Sequence, residues 1–254
     1  MEKIKISAVI ITFNEEKNIE RCLKSLSWVD EIIVVDSFST DATLDICSRY
    51  PVKIFQKKFG GYASQRNFGV EKANYDWILM VDADEEITQQ LNVEIMETVK
   101  QNNDIIAFYI PRNNFSFGKH IRYGSNYPDY QLRLFKSTRV RYDKEIHEVA
   151  KVDGKIGYLR YPIIHRTYST ISEYLPKLNS FTEIEAKEMI KNNIKVSWLK
   201  IVFYPILRFF WTYIIKNGWQ DGFAGFLMSV FGSFYMLTKY LKYKELIKKN
   251  ANRN

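Results

Sequence analysis

Three stretches of the chain, residues 6–12 (ISAVIIT), 31–36 (EIIVVD) and 77–82 (WILMVD), are continuous β-branched and apolar runs. Runs without alternation belong to strands covered on both faces, as in a parallel sheet. Shorter runs at 52–56 and 105–111 extend the set. Between them lie segments with helical spacing. Ile19, Leu23 and Leu26 mark a helix over 15–26. Ser39, Thr40 and Asp41 can cap a helix running to Tyr50, Gly60-Gly61 breaks the chain before a helix over 63–72, and another helix covers 89–101. Strands alternating with helices predict an α/β fold with a doubly wound, mostly parallel sheet.

From Asn113 to Asp153 the pattern changes to short strands and turns, and 130–135 alternates like a half-exposed strand, so a small antiparallel part is expected. Thr170 and Glu173 form a capping box ahead of an amphipathic helix. Residues 196–215 are apolar except for Ser197, Lys200, Arg208 and Thr212, which suits a helix lying in a membrane interface, kinked at Pro205. Gly218 and Gly222 break the chain, and the 17 residues 222–238 carry no charge. A span is at the lower limit of length there, and Gly222, Gly225 and Gly232 weaken a helix. An interfacial helical pair is the preferred reading, with a span or a homo-oligomer interface as alternatives. The division expected is a catalytic domain over 1–170 and a C-terminal region of apolar helices over 171–254.

Composition sharpens this picture. Lys and Arg number 37 against 29 Asp and Glu, a net charge of +8, which favours an anionic partner. Between residues 119 and 144, seven basic residues face Asp129 and Asp143, and the tail from Lys242 adds a net charge of four. Each fits an anionic acceptor or an anionic membrane surface. Cys22 and Cys47 make no disulfide framework, and residues 1–5 lead straight into a strand without a signal peptide. GxGxxG and GxxxxGK[ST] are both absent, so phosphate must be held by a metal or by basic side chains.

In doubly wound sheets ligands bind beyond the carboxyl ends of the strands. Three such ends are polar here: Thr12-Phe13-Asn14-Glu15-Glu16, Asp36-Ser37 and Asp82-Ala83-Asp84-Glu85-Glu86. Two carboxylates separated by one residue can turn into the crevice and hold Mg²⁺ or Mn²⁺, with water and substrate phosphates completing the coordination.

TFNEE, VVDSFSTD, QRNFG and MVDADE, in this order, resemble the motifs of inverting family 2 glycosyltransferases of the GT-A fold. Arg133-Leu134-Phe135-Lys136, Ile146-His147-Glu148 and His165 make the lipopolysaccharide-core β-glucosyltransferase group the nearest likeness within that family. The resemblance covers roughly residues 5–170 and implies site roles. Thr12, Phe13 and Glu15 would line the nucleoside pocket, Asp36 would read the base edge, and Arg66 would approach the base or pyrophosphate. Asp82 would contact the ribose and metal, Asp84 the metal and pyrophosphate, and His165 would complete the metal site. Inversion needs a base for the acceptor hydroxyl. Glu148 is the first choice and Asp129 the second. The implied activity moves a sugar from a nucleotide donor, UDP above all, to a cell-envelope glycan or glycolipid at the cytoplasmic face of the membrane, with peripheral or monotopic attachment. A polyprenyl-phosphate glycosyltransferase is the rival enzyme. A basic lipid- or nucleic-acid-binding protein is the non-enzyme rival, disfavoured because no nucleic-acid motif is recognisable.

Overall fold

A computed structural model describes residues 4–101, 104–125, 127–143 and 149–251. The chain runs β1 (Ile6–Thr12), α1 (Ile19–Ser25), β2 (Glu31–Asp36), α2 (Thr43–Cys47), β3 (Lys53–Gln56), α3 (Tyr62–Glu71), β4 (Trp77–Asp82), β5 (Glu85–Ile87) and α4 (Gln89–Lys100). It continues through β6 (Ile105–Ser116), β7 (Lys119–His120), β8 (Asp129–Lys136), β9 (Val140–Asp143), β10 (Val149–Val152), β11 (Lys155–Tyr158) and β12 (Ile163–Tyr168). Three long helices follow: α5 (Ile171–Lys191), α6 (Trp198–Phe210) and α7 (Gly222–Ala251). Contacts group Met1–Asn113 with Asp129–His165, and Asn114–Pro128 with Arg166–Asn254. Residues 114–128, read from the sequence as part of the first domain, thus pack with the C-terminal helices.

In the first unit the sheet order is β3-β2-β1-β4-β8-β6-β12-β5, and β3, β2, β1 and β4 are mutually parallel. β8 joins β4 antiparallel and β6 joins β8 antiparallel, which is the small antiparallel part expected. Both faces of the parallel part are covered. Ile10, Val34 and Leu79 pack with Leu23 of α1 and Ile95 of α4 on one face, and Val9, Val35 and Met80 pack with Ala63 of α3 on the other. That double cover is why these strands read as unbroken apolar runs. Register then levels the strand ends: Thr12 lies beside Asp36, and Ile11 beside Asp82.

In the second unit, α5 starts at the expected capping box. Thr170 Oγ1 accepts from Glu173 N at 3.2 Å, and Glu173 Oε2 accepts from Ser169 N at 2.9 Å. Tyr235 and Lys239 of α7 both donate to Glu185 of α5 (2.5 and 2.8 Å), and Ser233 donates to the Pro205 carbonyl of α6 at 2.5 Å. A π-helical turn, Trp211–Ile215, ends the apolar segment. α7 continues unbroken through Gly225 and Gly232 to residue 251, contrary to the weak helix expected there. At Gly225 a Cβ would stand 1.9 Å from the Gly218 carbonyl oxygen, so glycine here permits a backbone approach that outweighs its low helix propensity.

Candidate functional site

The first two motif loops are stitched together by hydrogen bonds. Asn14 N donates to Ser39 Oγ (2.9 Å) and Thr40 N to Asn14 Oδ1 (2.8 Å). Glu15 N donates to Thr43 Oγ1 (2.8 Å), and Ala42 N to Glu16 Oε2 (3.1 Å). Asn14 and Phe38 hold positive φ (53° and 65°), a backbone state disfavoured for a bulky residue such as Phe38 and typical of functional loops. Phe13 and Phe38 are both exposed on these loops. Thr12 Oγ1 is buried and has no hydrogen-bond partner among the described residues. Glu15 accepts from Asn18 Nδ2 at 2.7 Å, within its own turn. Asp36 is fully buried, and its carboxylate accepts from Ser39 N (3.0 Å), Ser39 Oγ (2.5 Å) and Gln56 Nε2 (3.2 Å). It therefore shapes the loop that follows β2.

The QRNFG motif, residues 65–69, lies within α3. A Cβ at Gly69 would lie 2.4 Å from Val9 Cγ1 and 3.1 Å from Val35 Cγ2, so this glycine lets α3 sit close on β1 and β2. Gln65 then reaches Ser37 Oγ (3.0 Å) and the Lys57 carbonyl (2.9 Å), while Asn67 exchanges two hydrogen bonds with the backbone of Tyr142 (2.8 and 3.0 Å). Arg66, three residues before Gly69 and one helical turn away, donates to Asp82 Oδ1 at 2.8 Å.

Asp82 is the hub of a buried charge cluster. Its other oxygen accepts from Arg133 Nη2, which also donates to Glu85 Oε1 at 2.8 Å. Glu85 is wholly buried, accepts from Arg112 Nη1 at 3.2 Å, and closes the turn by accepting from Asp82 N at 2.9 Å. Arg112 in turn donates to Asp129 Oδ2 through Nε (2.9 Å) and Nη2 (2.6 Å), and Gln131 donates to Asp129 Oδ1 at 2.7 Å. Burial alone would raise the Asp82 pKa, but Arg133 and Arg66 overcome it and hold the carboxyl well below the usual range. Burial opposes the charge on Arg133 as well, and Asp82 and Glu85 reverse that. The Cys22 thiol beneath this strand end is pushed up, by burial first and then by Glu85, Asp84 and Asp82, so it is no nucleophile.

Asp84 pairs with a different residue. Its Oδ2 lies 3.4 Å from His165 Nε2, because β12 pairs antiparallel with β5 and sets His165 opposite Glu85. Burial lowers the His165 pKa, but Asp84 and Glu85 together outweigh it, and the net shift is upward. One oxygen and one nitrogen at this separation can share a cation. Asp82 does not join them, since guanidinium groups engage both its oxygens. No cluster of three or more His, Cys, Asp or Glu suited to a metal occurs among the described residues. The donor set therefore fits a two-ligand site for a hard cation whose remaining positions go to water and phosphate, the usual Mg²⁺ arrangement. Of the three ligands expected from the sequence, Asp84 and His165 approach each other, and Asp82 is held by Arg66 and Arg133.

Of the two candidate bases, Asp129 is tied to Arg112 and Gln131 as above, and Glu148 lies outside the described residues. The seven basic residues of 119–144 divide between the two units. Lys119 and Arg122 belong to the second, where they reach the Asp221 carbonyl (2.7 Å) and His120 Nδ1 (3.2 Å). In the first, Arg133 is in the buried cluster and Arg139 pairs with Asp153 at 2.8 Å. Sequence reasoning missed Arg112, Arg133 and Glu85 as members of the site. Glu85 and Arg133 stood within quoted motifs without an assigned role, and Arg112 had only its charge beside apolar strand residues as a signal.

Comparison with known proteins bears on this geometry. The family model described as glycosyl transferase family 2 matches residues 7–165. The lipopolysaccharide core biosynthesis glycosyltransferase LpsC of Rhizobium meliloti (strain 1021) is 27% identical over 92% of this chain and 89% of its own. An uncharacterized glycosyltransferase of Rickettsia bellii (strain RML369-C) is 32% identical over 95% of this chain and 87% of its own. Among solved structures, residues 1–349 of S. aureus TarS in complex with UDP-GlcNAc superpose with a TM-score of 0.52 at 16% identity, covering 92% of this chain and 82% of that one. The GT-A architecture, the ordered motifs and a family match over most of the first unit agree, and the chain belongs to glycosyl transferase family 2.

Proposed function

We propose that the protein transfers a sugar, with inversion, from a UDP-linked donor to a glycan or glycolipid of the cell envelope at the cytoplasmic face of the membrane. LpsC supports the acceptor class by its name, and TarS supports the donor by its bound UDP-GlcNAc. The observation that carries the reading is the levelled set of strand ends, where the β1, β2 and β4 loops meet beside Asp82, Asp84 and His165.

The nucleoside would lie against the Phe13 and Phe38 loops, which hydrogen bonds tie to each other. Asp82, fixed by Arg66 and Arg133, would meet the ribose. Asp84 and His165 would hold Mg²⁺ or Mn²⁺, which supplies stabilisation of the charge that develops on the leaving diphosphate. Glu148 would take the proton from the acceptor hydroxyl as its oxygen attacks the anomeric carbon and the bond to the UDP oxygen breaks. Asp129 is disfavoured as that base, because its carboxylate already neutralises Arg112.

The test is a panel of UDP-, GDP-, dTDP- and CMP-linked sugars, scored by thermal stabilisation and donor hydrolysis with Mn²⁺ and with chelator. UDP-sugars should give the largest Mn²⁺-dependent shift. Stabilisation by another nucleotide in place of UDP would overturn the donor assignment, and equal shifts in chelator would overturn the metal.

A further inference from the structure

The second unit presents an apolar surface that its described residues leave exposed. On α6 and its π-helical turn, Trp198, Phe203, Leu207, Phe210, Trp211 and Ile215 are each between 49% and 66% exposed. At 3.6 residues per turn, the exposed apolar positions of α6 sweep an arc of roughly 200°. Only the strip through Pro205 and Thr212 is buried, and it faces α7: Ser233 holds the Pro205 carbonyl, and Phe209 and Tyr213 meet Phe226 at ring-centroid distances of 6.0 and 5.7 Å. Exposed Trp219 and Phe223 continue the patch beyond the turn. A contiguous patch of this kind marks an interaction surface.

Charge identifies the partner. Between Glu188 and Asp221 the chain carries five basic residues, Lys191, Lys195, Lys200, Arg208 and Lys216, and no acidic one. Lys191, Lys195, Arg208 and Lys216 are exposed. Arg208 borders a cavity of about 110 Å³, also lined by Tyr123, Tyr174 and the buried Ser229. A protein partner built for this face would need acids interleaved with apolar groups. An anionic bilayer offers both layers at once, acyl chains for the aromatic arc and phosphates for its basic margin.

We propose that α6 and its π-helical turn lie in the plane of an anionic lipid surface as an anchor, with the arc in the acyl boundary and Arg208 and the flanking lysines among the headgroup phosphates. The segment 198–215 is the one helix among the described residues long and apolar enough to cross a membrane. A crossing orientation would put Arg208 near the hydrocarbon midplane and strip α6 of its contact with α7, whereas an in-plane helix keeps both. The anchor depends on the second unit alone, so it stands or falls separately from the donor chemistry proposed above.

The experiment uses the full chain with vesicles of phosphatidylcholine alone and with one quarter phosphatidylglycerol. Wild type should sediment with the anionic vesicles, bind them at least tenfold more weakly in 0.5 M salt, and be released from membranes by alkaline carbonate. The triple variant Phe203→Gln, Leu207→Gln, Phe210→Gln alters only exposed side chains. It should lose at least tenfold in vesicle affinity while its circular dichroism and UDP binding match wild type. Lipids brominated near the headgroup should quench the exposed tryptophans more than lipids brominated near the chain end. Resistance to carbonate with deep quenching would show a span and overturn the in-plane anchor. Wild type remaining in solution as a defined oligomer that the triple variant dissociates would show a self-association face and overturn the lipid partner.

Discussion

Replacing Arg133 with Met tests the buried charge cluster. The Arg133 side chain is 4% exposed and is shared by Asp82 and Glu85, the second of which has no solvent contact. Removing one partner of a buried ion pair costs about 3–5 kcal/mol, because the remaining charge stays buried. Here Arg112 remains 3.2 Å from Glu85 and Arg66 remains 2.8 Å from Asp82, so the lower end is expected, about 3 kcal/mol. With a urea m-value of about 2 kcal/mol/M, the unfolding midpoint should fall by about 1.5 M. Adding Glu85→Gln removes the stranded carboxylate and should return about 1–2 kcal/mol, within the usual range for coupled neighbours. Hydrogen exchange of β1 and β4 peptides at rising urea reports the first unit without interference from the second. A midpoint within 0.3 M (about 0.6 kcal/mol) of wild type for Arg133→Met, or simple additivity in the double variant, would refute the coupled cluster.

Four further outcomes are expected. Gly69→Ala drives a Cβ into Val9 and Val35 and should cost about 1–3 kcal/mol, read by the same exchange experiment; an unchanged midpoint would mean α3 is not closely seated. Asp84→Asn and His165→Ala should each remove the Mn²⁺-dependent part of UDP binding in calorimetry without altering the circular dichroism spectrum, and equal UDP affinity in wild type with Mn²⁺ and with chelator would contradict this. Glu148→Gln should lower kcat by roughly 10²–10⁴ with donor affinity unchanged, and finding that signature in Asp129→Asn instead would reverse the assignment. Gly225→Ala meets the Gly218 carbonyl and should lower the helical melting temperature of the second unit; a wild-type melt would refute the close approach.

The parallel half of the fold was legible because burial on both faces leaves a one-dimensional trace. β1, β2 and β4 run between the residues predicted from their apolar runs. The motif residues Arg66, Asp82, Asp84 and His165 were legible as a set, and the structure brings them to one end of the sheet. The roles of Arg112, Arg133 and Glu85 were not, because they depend on antiparallel pairing between distant segments. β8 enters beside β4 with Leu134 opposite Leu79, which carries Arg133 to the carboxyl end of β4, and β6 places Arg112 opposite Asp129. Read locally, Glu85 is an ordinary acid ahead of a helix, yet it is wholly buried. The grouping of residues 114–128 with the C-terminal helices is hidden for a similar reason. Asp221 Oδ2 accepts from Arg122 N (3.0 Å) and Tyr123 N (2.8 Å), a buried anchor about a hundred residues away that no local pattern announces.

The cluster also bears on the cation proposed for this site. Arg66, Arg112 and Arg133 are matched by Asp82, Glu85 and Asp129, so three positive charges meet three negative ones before any donor arrives. Arg66, which the sequence places near the base or pyrophosphate, is engaged with Arg112 and Arg133 in holding carboxylates at the strand end. Next to that neutral cluster stands Asp84, whose charge repels a diphosphate unless something intervenes. His165⁺ can balance Asp84 but leaves nothing over for the leaving group. A divalent cation held there, as proposed above, would supply the missing charge beside the leaving diphosphate, where a low local dielectric makes each charge count most. The arginine cluster thereby holds Asp82 and Glu85 at the DxD turn, and in the proposed mechanism the charge needed for departure would come from a cation at Asp84 and His165.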